Sequence, residues 1–301
     1  MLGVKVEKKN AESVKQAILK QNAFARGYSA FSDEKFVYFP VLRKIKLQKE
    51  TAFVNKTFPH ATCGGQRLSD ALKSDLSKSQ LAKLVSSYDL VGDIAIIEIP
   101  KALESKKKTI GKALLASNGR LRTVLRKASA MNGKFRVRKF EFLAGEKKTE
   151  TVYKESGGIF KLDLAKTYFS IRLSHERLRI ADQVREGEKI LALFAGVGPF
   201  PIIIARRKTD VEIVAIELNP LATRMMKENV LLNGVQNKVK VIQGDVNEIL
   251  PAKFKNWADR IIMPLPHTGE NFLDASLKAA RKGCIVHFYG FNSKKGKSKF
   301  S

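Results

Sequence analysis

The stretch Lys189-Ile190-Leu191-Ala192-Leu193-Phe194-Ala195-Gly196-Val197-Gly198-Pro199-Phe200-Pro201 sets the reading of this 301-residue chain. Residues 189–193 read as a strand, and the small residues that follow read as a turn over 194–201. Downstream, strand and helix alternate: strands at 211–216, 239–243, 260–263 and 285–291, with helices at 220–233 and 270–280. Such alternation predicts a mainly parallel, doubly wound sheet with helices on both faces. In that architecture a ligand sits at the carboxyl ends of the strands.

Three features gather at that edge. The small residues of 194–200 let the backbone approach a ligand closely, with amides toward it. Glu217 ends the second strand about 20 residues on, where a carboxylate can accept both ribose hydroxyls of a nucleoside. Gly244-Asp245 ends the third strand, from which a side chain can reach an adenine amino group. A dinucleotide would want a third glycine where Phe200 or Pro201 stands, and Pro199-Phe200-Pro201 is a poor phosphate cradle. S-adenosylmethionine has no phosphate and suits the loop better. The plainer alternatives are a solvated strand-end carboxylate for Glu217 and a helix cap for Asp245.

Upstream, residues 1–60 read as a small α/β unit with strands at 3–6 and 35–40. Its helix starts at Asn10 or Ser13, where N-cap chemistry is available, and ends near 21. A Lys-rich connector follows at 43–49, then a polar helix over 69–86. A second unit, 70–155, has a strand over 90–100 closed by Pro100, a helix near 110–116, a strand at 123–126 and two more strands before Gly157. Lys134, Arg136 and Arg138 alternate with Phe135 and Val137, as on a strand with three cations on one face. That face can meet phosphates or simply be solvated. The sheet domain is expected over 156–301, with a frayed Lys-rich tail at 293–301.

Composition narrows the partner. Lys plus Arg number 56 against 29 Asp plus Glu, a net charge of +27. This excess attracts polyanions and makes nucleic acid the expected partner. No apolar run approaches the roughly 20 residues of a membrane span, and the start lacks the apolar core of a secretory signal. A cytoplasmic monomer without membrane or protein partners is the expectation. Cys63 and Cys284 stand far apart with no CxxC, so neither zinc nor a disulfide is indicated, and no metal-ligand cluster is visible.

Four segments resemble a known family. They are Phe135-Arg136-Val137-Arg138-Lys139-Phe140-Glu141-Phe142-Leu143-Ala144-Gly145-Glu146, Asp163-Leu164-Ala165-Lys166-Thr167-Tyr168-Phe169-Ser170-Ile171-Arg172-Leu173-Ser174-His175-Glu176-Arg177, the Phe194–Phe200 loop and Met263-Pro264-Leu265-Pro266. In order and spacing, over roughly residues 70–291, they are similar to the archaeal and eukaryotic tRNA (guanine-N1)-methyltransferases that modify position 37. The resemblance implies a C-terminal Rossmann-like class I methyltransferase sheet, an α+β middle domain that binds RNA, and a small N-terminal α/β domain that contacts tRNA.

It also implies roles. Guanine N1 is protonated at neutral pH, so methylation needs a base at N1 and a donor at O6, where charge develops. The family's base corresponds to Glu176 and its O6 donor to Arg136. Tyr168 lies beside the active centre, and Asn219 and Pro266 shape the pocket for a flipped-out base. The implied cofactor positions are Phe194, Ala195, Gly196, Val197, Gly198, Pro199, Glu217, Leu218, Asn219, Asp245, Val246 and Pro264. Glu176 also suits the first turn of a helix, which favours an acid there. Two residues depart from the family: Ala192 replaces an acidic residue that would support the loop or the methionine ammonium, and Pro264 stands where asparagine is frequent. Two other activities stay open, a wyosine-pathway enzyme on the same fold and a tRNA-binding protein without catalysis.

Overall fold

Val4 and Val6 of β1 (Leu2–Glu7) pack with Val14 and Ile18 of α1 (Ala11–Lys20), and this core begins the first of two units in the computed structural model. The structure describes residues 1–25, 28–47, 51–58, 68–131, 133–266 and 268–290. Cys63 and the tail at 293–301 lie outside them. One unit comprises residues 1–84 with 116–119, the other 85–115 with 120–301.

In the first unit the sheet order is β2 (Phe31–Ser32), β3 (Phe36–Pro40), β1, β4 (Thr51–Asn55), with antiparallel pairing. The two expected strands and the helix are present, and β4 adds a strand that the sequence did not announce. The Asn10 side chain forms no cap bond; a 3-10 turn over Lys8–Asn10 leads into α1 instead. The expected helix over 69–86 is broken into α2 (Leu68–Ala71) and α3 (Lys78–Ala82). Ser77 causes the break by restarting the helix: its Oγ accepts from the Gln80 amide (3.3 Å), while Gln80 Oε1 accepts from the Ser77 amide (2.9 Å).

In the second unit, the run at 90–100 is a hairpin rather than one strand. Gly92, at φ +59°, turns β5 (Tyr88–Val91) back on β6 (Ile94–Ile97). Helix α4 (Lys107–Ser117) leads to β7 (Thr123–Lys127), parallel to β6, and β8 (Phe140–Gly145) completes the sheet. The cationic strand expected around Lys134–Arg138 does not form. Residues 133–136 make a turn closed by the Arg136 amide on the Gly133 carbonyl (3.0 Å), and Arg136 sits at φ +51°. A left-handed residue cannot continue an extended run, so the three cations do not share a strand face.

A hairpin of β9 (Glu150–Glu155) and β10 (Gly158–Asp163) and helix α5 (Ser174–Gln183) precede the main sheet. That sheet arises from β11 (Glu188–Leu193), α6 (Pro199–Arg207), β12 (Val211–Glu217), α7 (Pro220–Leu232), β13 (Val239–Gln243), α8 (Val246–Lys253), β14 (Ala258–Met263), α9 (Leu273–Ala279) and β15 (Ala280–Phe288). Its order is β13-β12-β11-β14-β15, with parallel pairing throughout, as the alternating pattern implied. The chain reverses direction across the sheet between β11 and β14, the place where such folds bind ligands. Ile190 and Ala192 of β11 enter one core and Leu191 and Leu193 the other, so the strand is buried on both faces. The turn after β11 is shorter than expected because α6 begins at Pro199, whose missing N–H suits a first helical position.

An amide ladder joins the hairpin to α7. Asn229 Oδ1 accepts from the Lys161 amide (2.8 Å) and its Nδ2 donates to the Lys161 carbonyl (3.0 Å). Asn233 treats Ile159 in the same way (2.9 and 2.7 Å). The match is geometric: four helical residues rise about 6 Å and two strand residues about 6.6 Å. Asn229, fully buried, also donates to the Val197 carbonyl (3.0 Å) in the loop after β11. Replacing Asn229 with leucine strands these buried backbone groups, and we expect a loss of about 2–4 kcal/mol in urea denaturation. A loss below about 0.5 kcal/mol, ordinary for an exposed site, would contradict the ladder's role.

Candidate active site

A cavity of about 360 Å³ opens at the carboxyl ends of β11, β12 and β13. That volume is in the range for a nucleoside-sized ligand. Its apolar lining includes Ile216, Leu218, Ala222, Val246 and Phe272. The Phe272 ring meets Phe194 edge-on, with centroids 4.7 Å apart. Gly196, Glu217, Asn219, Asp245, Pro264, Arg136 and Tyr168 complete the wall named by the sequence.

Glu217 organises this wall. Its Oε2 accepts from the Gly196 amide and its Oε1 from the Asn219 amide, both at 2.7 Å. Burial raises the carboxyl pKa, and these backbone donors offset part of the rise. Each oxygen retains acceptor capacity, so ribose hydroxyls can be received without releasing the loop. Asn219 caps α7 through the Leu221 amide (3.0 Å) and reaches the Lys166 carbonyl (2.8 Å). Asp245 caps α8 through the Asn247 amide (3.0 Å) while lining the cavity, so both readings of it hold together.

The loop contributes shape more than donors. Phe194, Gly196 and Gly198 lie at φ +53°, +58° and +88°. The Ala195 amide is taken by the Ile216 carbonyl (3.1 Å), the Gly198 amide by the Ala195 carbonyl (2.9 Å), and the Gly196 amide by Glu217. Three of the amides expected to face the ligand are therefore committed within the protein. Ala195, Val197, Gly198 and Pro199 do not line the cavity, because the turn buries them behind it. A phosphate would find little here, since Pro199 and Pro201 remove two donors from the start of α6. Ala192 is buried at the centre of β11, and the loop support its replacement threatened comes from Glu217 and Asn229.

Arg136 and Tyr168 belong to two cavities. They also line a neighbouring space of about 240 Å³ with Lys127, Arg138, Phe140, Phe169 and Arg172. The Arg136 guanidinium carbon lies 5.7 Å from the Tyr168 ring centroid. Glu176 and Pro266 line neither space. Glu176, in the first turn of α5, is instead bound by both Arg179 nitrogens Nε and Nη2 (2.7 Å each) and by the Tyr289 hydroxyl (2.6 Å). The Arg179 contact, followed by the Tyr289 hydroxyl, holds its pKa below the usual carboxylate value. Residues the sequence did not assign to the cofactor wall include Lys134 and Phe135, on the turn, and Leu265, Thr268 and Phe272. Leu265 belongs to the matching 263–266 segment, while Thr268 precedes and Phe272 ends a 3-10 turn over Gly269–Phe272.

Comparison with known proteins now decides the family. Residues 151–299 match the TRM5/TYW2 methyltransferase domain, 68–149 the TYW2 N-terminal domain and 3–48 the tRNA methyltransferase 5 N-terminal domain. A tRNA (guanine(37)-N(1))-methyltransferase, Trm5b, of Pyrococcus abyssi is 35% identical over 296 residues, covering 96% of this chain and 84% of that protein. The chain belongs to the TRM5/TYW2 family of tRNA methyltransferases. Among solved members, the complex of aTrm5 with tRNALeu superposes with a TM-score of 0.66 at 31% identity, covering 96% of this chain and 87% of that one. Methanocaldococcus jannaschii Trm5 in complex with adenosine gives 0.61 at 29% identity, covering 96% and 86%.

For this TRM5/TYW2 chain, Glu217→Gln should weaken S-adenosylmethionine binding about tenfold in calorimetry by replacing one acceptor oxygen with a donor. Because the carboxyl pKa is raised, wild-type affinity should fall as pH drops through it, while the glutamine variant stays flat. Parallel pH profiles for the two proteins would remove Glu217 from the ligand contact.

Proposed function

We propose that this chain transfers the methyl group of S-adenosylmethionine to N1 of guanine at position 37 of tRNA. The observation that carries the proposal is the wall shared by Arg136 and Tyr168. One side of it faces the cavity built by Glu217 and Asp245, and the other faces a space lined by cations and aromatic rings. Phosphates and a stacked base suit the second space, and a nucleoside suits the first. The net charge of +27 supports a polyanionic partner.

S-adenosylmethionine, when bound, supplies a methyl group made electrophilic by its sulfonium. The residues of the chain do the rest. Glu217 accepts the ribose hydroxyls, Asp245 accepts from the adenine amino group, and the apolar lining excludes water. Arg136 donates to guanine O6 as negative charge develops there. Tyr168 backs the Arg136 guanidinium, and Glu176 takes the N1 proton. Support for the Glu176 assignment comes from its matching segment. Support for the Arg136 and Tyr168 assignments comes from that match and from the cavity wall together.

The chain divides in this reading into three segments, 1–60, 70–155 and 156–301. We assign the first two to tRNA contact and the last to the cofactor. A cytoplasmic monomer fits a tRNA substrate, and no described helix is long and apolar enough to cross a membrane.

Unmodified tRNA transcripts bearing guanine or adenine at position 37 test the reaction. Nucleoside mass spectrometry should find 1-methylguanosine with the guanine transcript alone, and its absence there overturns the proposal. Arg136→Ala should slow single turnover about 10²–10³-fold while leaving S-adenosylmethionine affinity unchanged.

A further inference from the structure

Three hydrogen bonds converge on the Glu176 carboxylate. Arg179 Nε donates to Oε2 and Arg179 Nη2 to Oε1, each at 2.7 Å, and the Tyr289 hydroxyl donates to Oε1 at 2.6 Å. The bidentate geometry is the strong form of an arginine–carboxylate pair. The surrounding charges leave these two residues in control. His287 of β15 is driven toward its neutral form by burial and by Arg260, whose Nη1 lies 2.7 Å from the His287 Nε2. Arg260 is itself committed to Glu188 (2.7 and 2.9 Å) and the Gln183 carbonyl (2.9 Å). Burial, and then Glu176, push the Tyr289 phenol up, so it remains a donor.

A carboxylate held by three donors is ionised but weakly basic, with one acceptor position, on Oε2, left open. To take the N1 proton it must carry that lone pair to a cavity that it does not line in this arrangement. The Arg179 side chain is 52% exposed and can swing away, whereas Glu176 is 26% exposed and Tyr289 lies against Phe200.

We propose that Arg179 and Tyr289 are positioning residues for methyl transfer: they hold Glu176 outside the Arg136–Tyr168 cavity, and Glu176 accepts the N1 proton only after releasing one of them. This rests on the assignment of Glu176 as the base. In the step it serves, the N1–H bond breaks with its proton passing to a Glu176 oxygen. The N1–methyl bond forms as the sulfur–methyl bond breaks, and sulfur keeps that electron pair.

Single-turnover methylation of a transcript with guanine at position 37, measured across the acid range at saturating S-adenosylmethionine, tests this. The proteins are wild type, Glu176→Gln, Arg179→Met, Arg179→Lys and Tyr289→Phe. Wild-type cofactor affinity in calorimetry marks each variant as folded. The acid limb should move to higher pH in Arg179→Met and Tyr289→Phe, because a carboxylate relieved of a donor regains basicity, and should return toward wild type in Arg179→Lys. Glu176→Gln should lose about a hundredfold in rate. A slow Glu176→Gln with limbs unmoved in both Arg179→Met and Tyr289→Phe overturns the positioning role alone. A Glu176→Gln protein at the wild-type rate overturns the base assignment beneath it.

Discussion

The side-chain amide of Asn229 satisfies three backbone groups on two separate segments, the amide and carbonyl of Lys161 in β10 and the carbonyl of Val197 after β11. Much of the second unit depends on that join. Fixing β10 fixes its partner β9, and the last residue of β9, Glu155, forms a buried bidentate pair with Arg177 of α5. Arg177 also donates to the Ser170 carbonyl (3.0 Å) and lies over the Phe169 ring. One chain of contacts thus runs from the cofactor loop to the segment that carries Tyr168 and Glu176. A buried ion pair adds little net stability, since desolvation offsets the attraction. Its value here is registry: Arg177 can satisfy Glu155 and Ser170 together only with α5 and the preceding segment in one arrangement.

Glu217 plays the corresponding part within the sheet. A carboxylate at this depth is costly, as its raised pKa reflects, and it is tolerated because two backbone amides from different loops converge on it. Those amides are then lost to the ligand. Around Glu217 the cofactor wall therefore presents acceptors and apolar surface, with the Gly196 and Asn219 amides turned inward. That polarity suits ribose hydroxyls and an adenine amino group, which are donors, and disfavours phosphates, which need donors. The same logic makes Ala192 tolerable, because the strand needs no second carboxylate to hold a loop that Glu217 and Asn229 already tie.

The main sheet was legible because apolar runs and strand-end glycines write a parallel fold directly into local sequence, and the edge bearing Glu217 and Asp245 followed from spacing. The hairpin at Gly92 was hidden because Leu90–Ile99 is apolar apart from Asp93 and Glu98, so periodicity could not reveal a reversal that one glycine imposes. Lys134–Arg138 misled in the opposite sense: an alternating pattern promised a strand, while Gly133 and Arg136 took left-handed backbone and closed a turn. Asn229 and Asn233 escaped notice because an asparagine inside a helix looks like a mild misfit until a strand edge appears beside it. Phe272 reaches the cavity from a 3-10 turn over Gly269–Phe272, where the sequence promised only the start of a helix.

These successes and failures fall on two sides of the site. On the cofactor side, Glu217, Asn219 and Asp245 each hold a helix start or a loop through backbone hydrogen bonds, so their geometry is set before any ligand arrives. Lys134 and Phe135 reach the same cavity from a short exposed turn, and Arg136 meets it beside the Tyr168 ring. Preorganisation favours a small ligand that is bound in every turnover, since it removes the cost of ordering the wall each time. A large polyanion brings its own binding energy, spread over many phosphate contacts, and can order a cationic turn as it docks. The division places rigid acceptors where the nucleoside cofactor must be aligned and adaptable cations where the RNA must be admitted. Spacing recovered Glu217 and Asp245, the resemblance supplied Asn219, Arg136 and Tyr168, and the place of Lys134 and Phe135 emerged only from the fold.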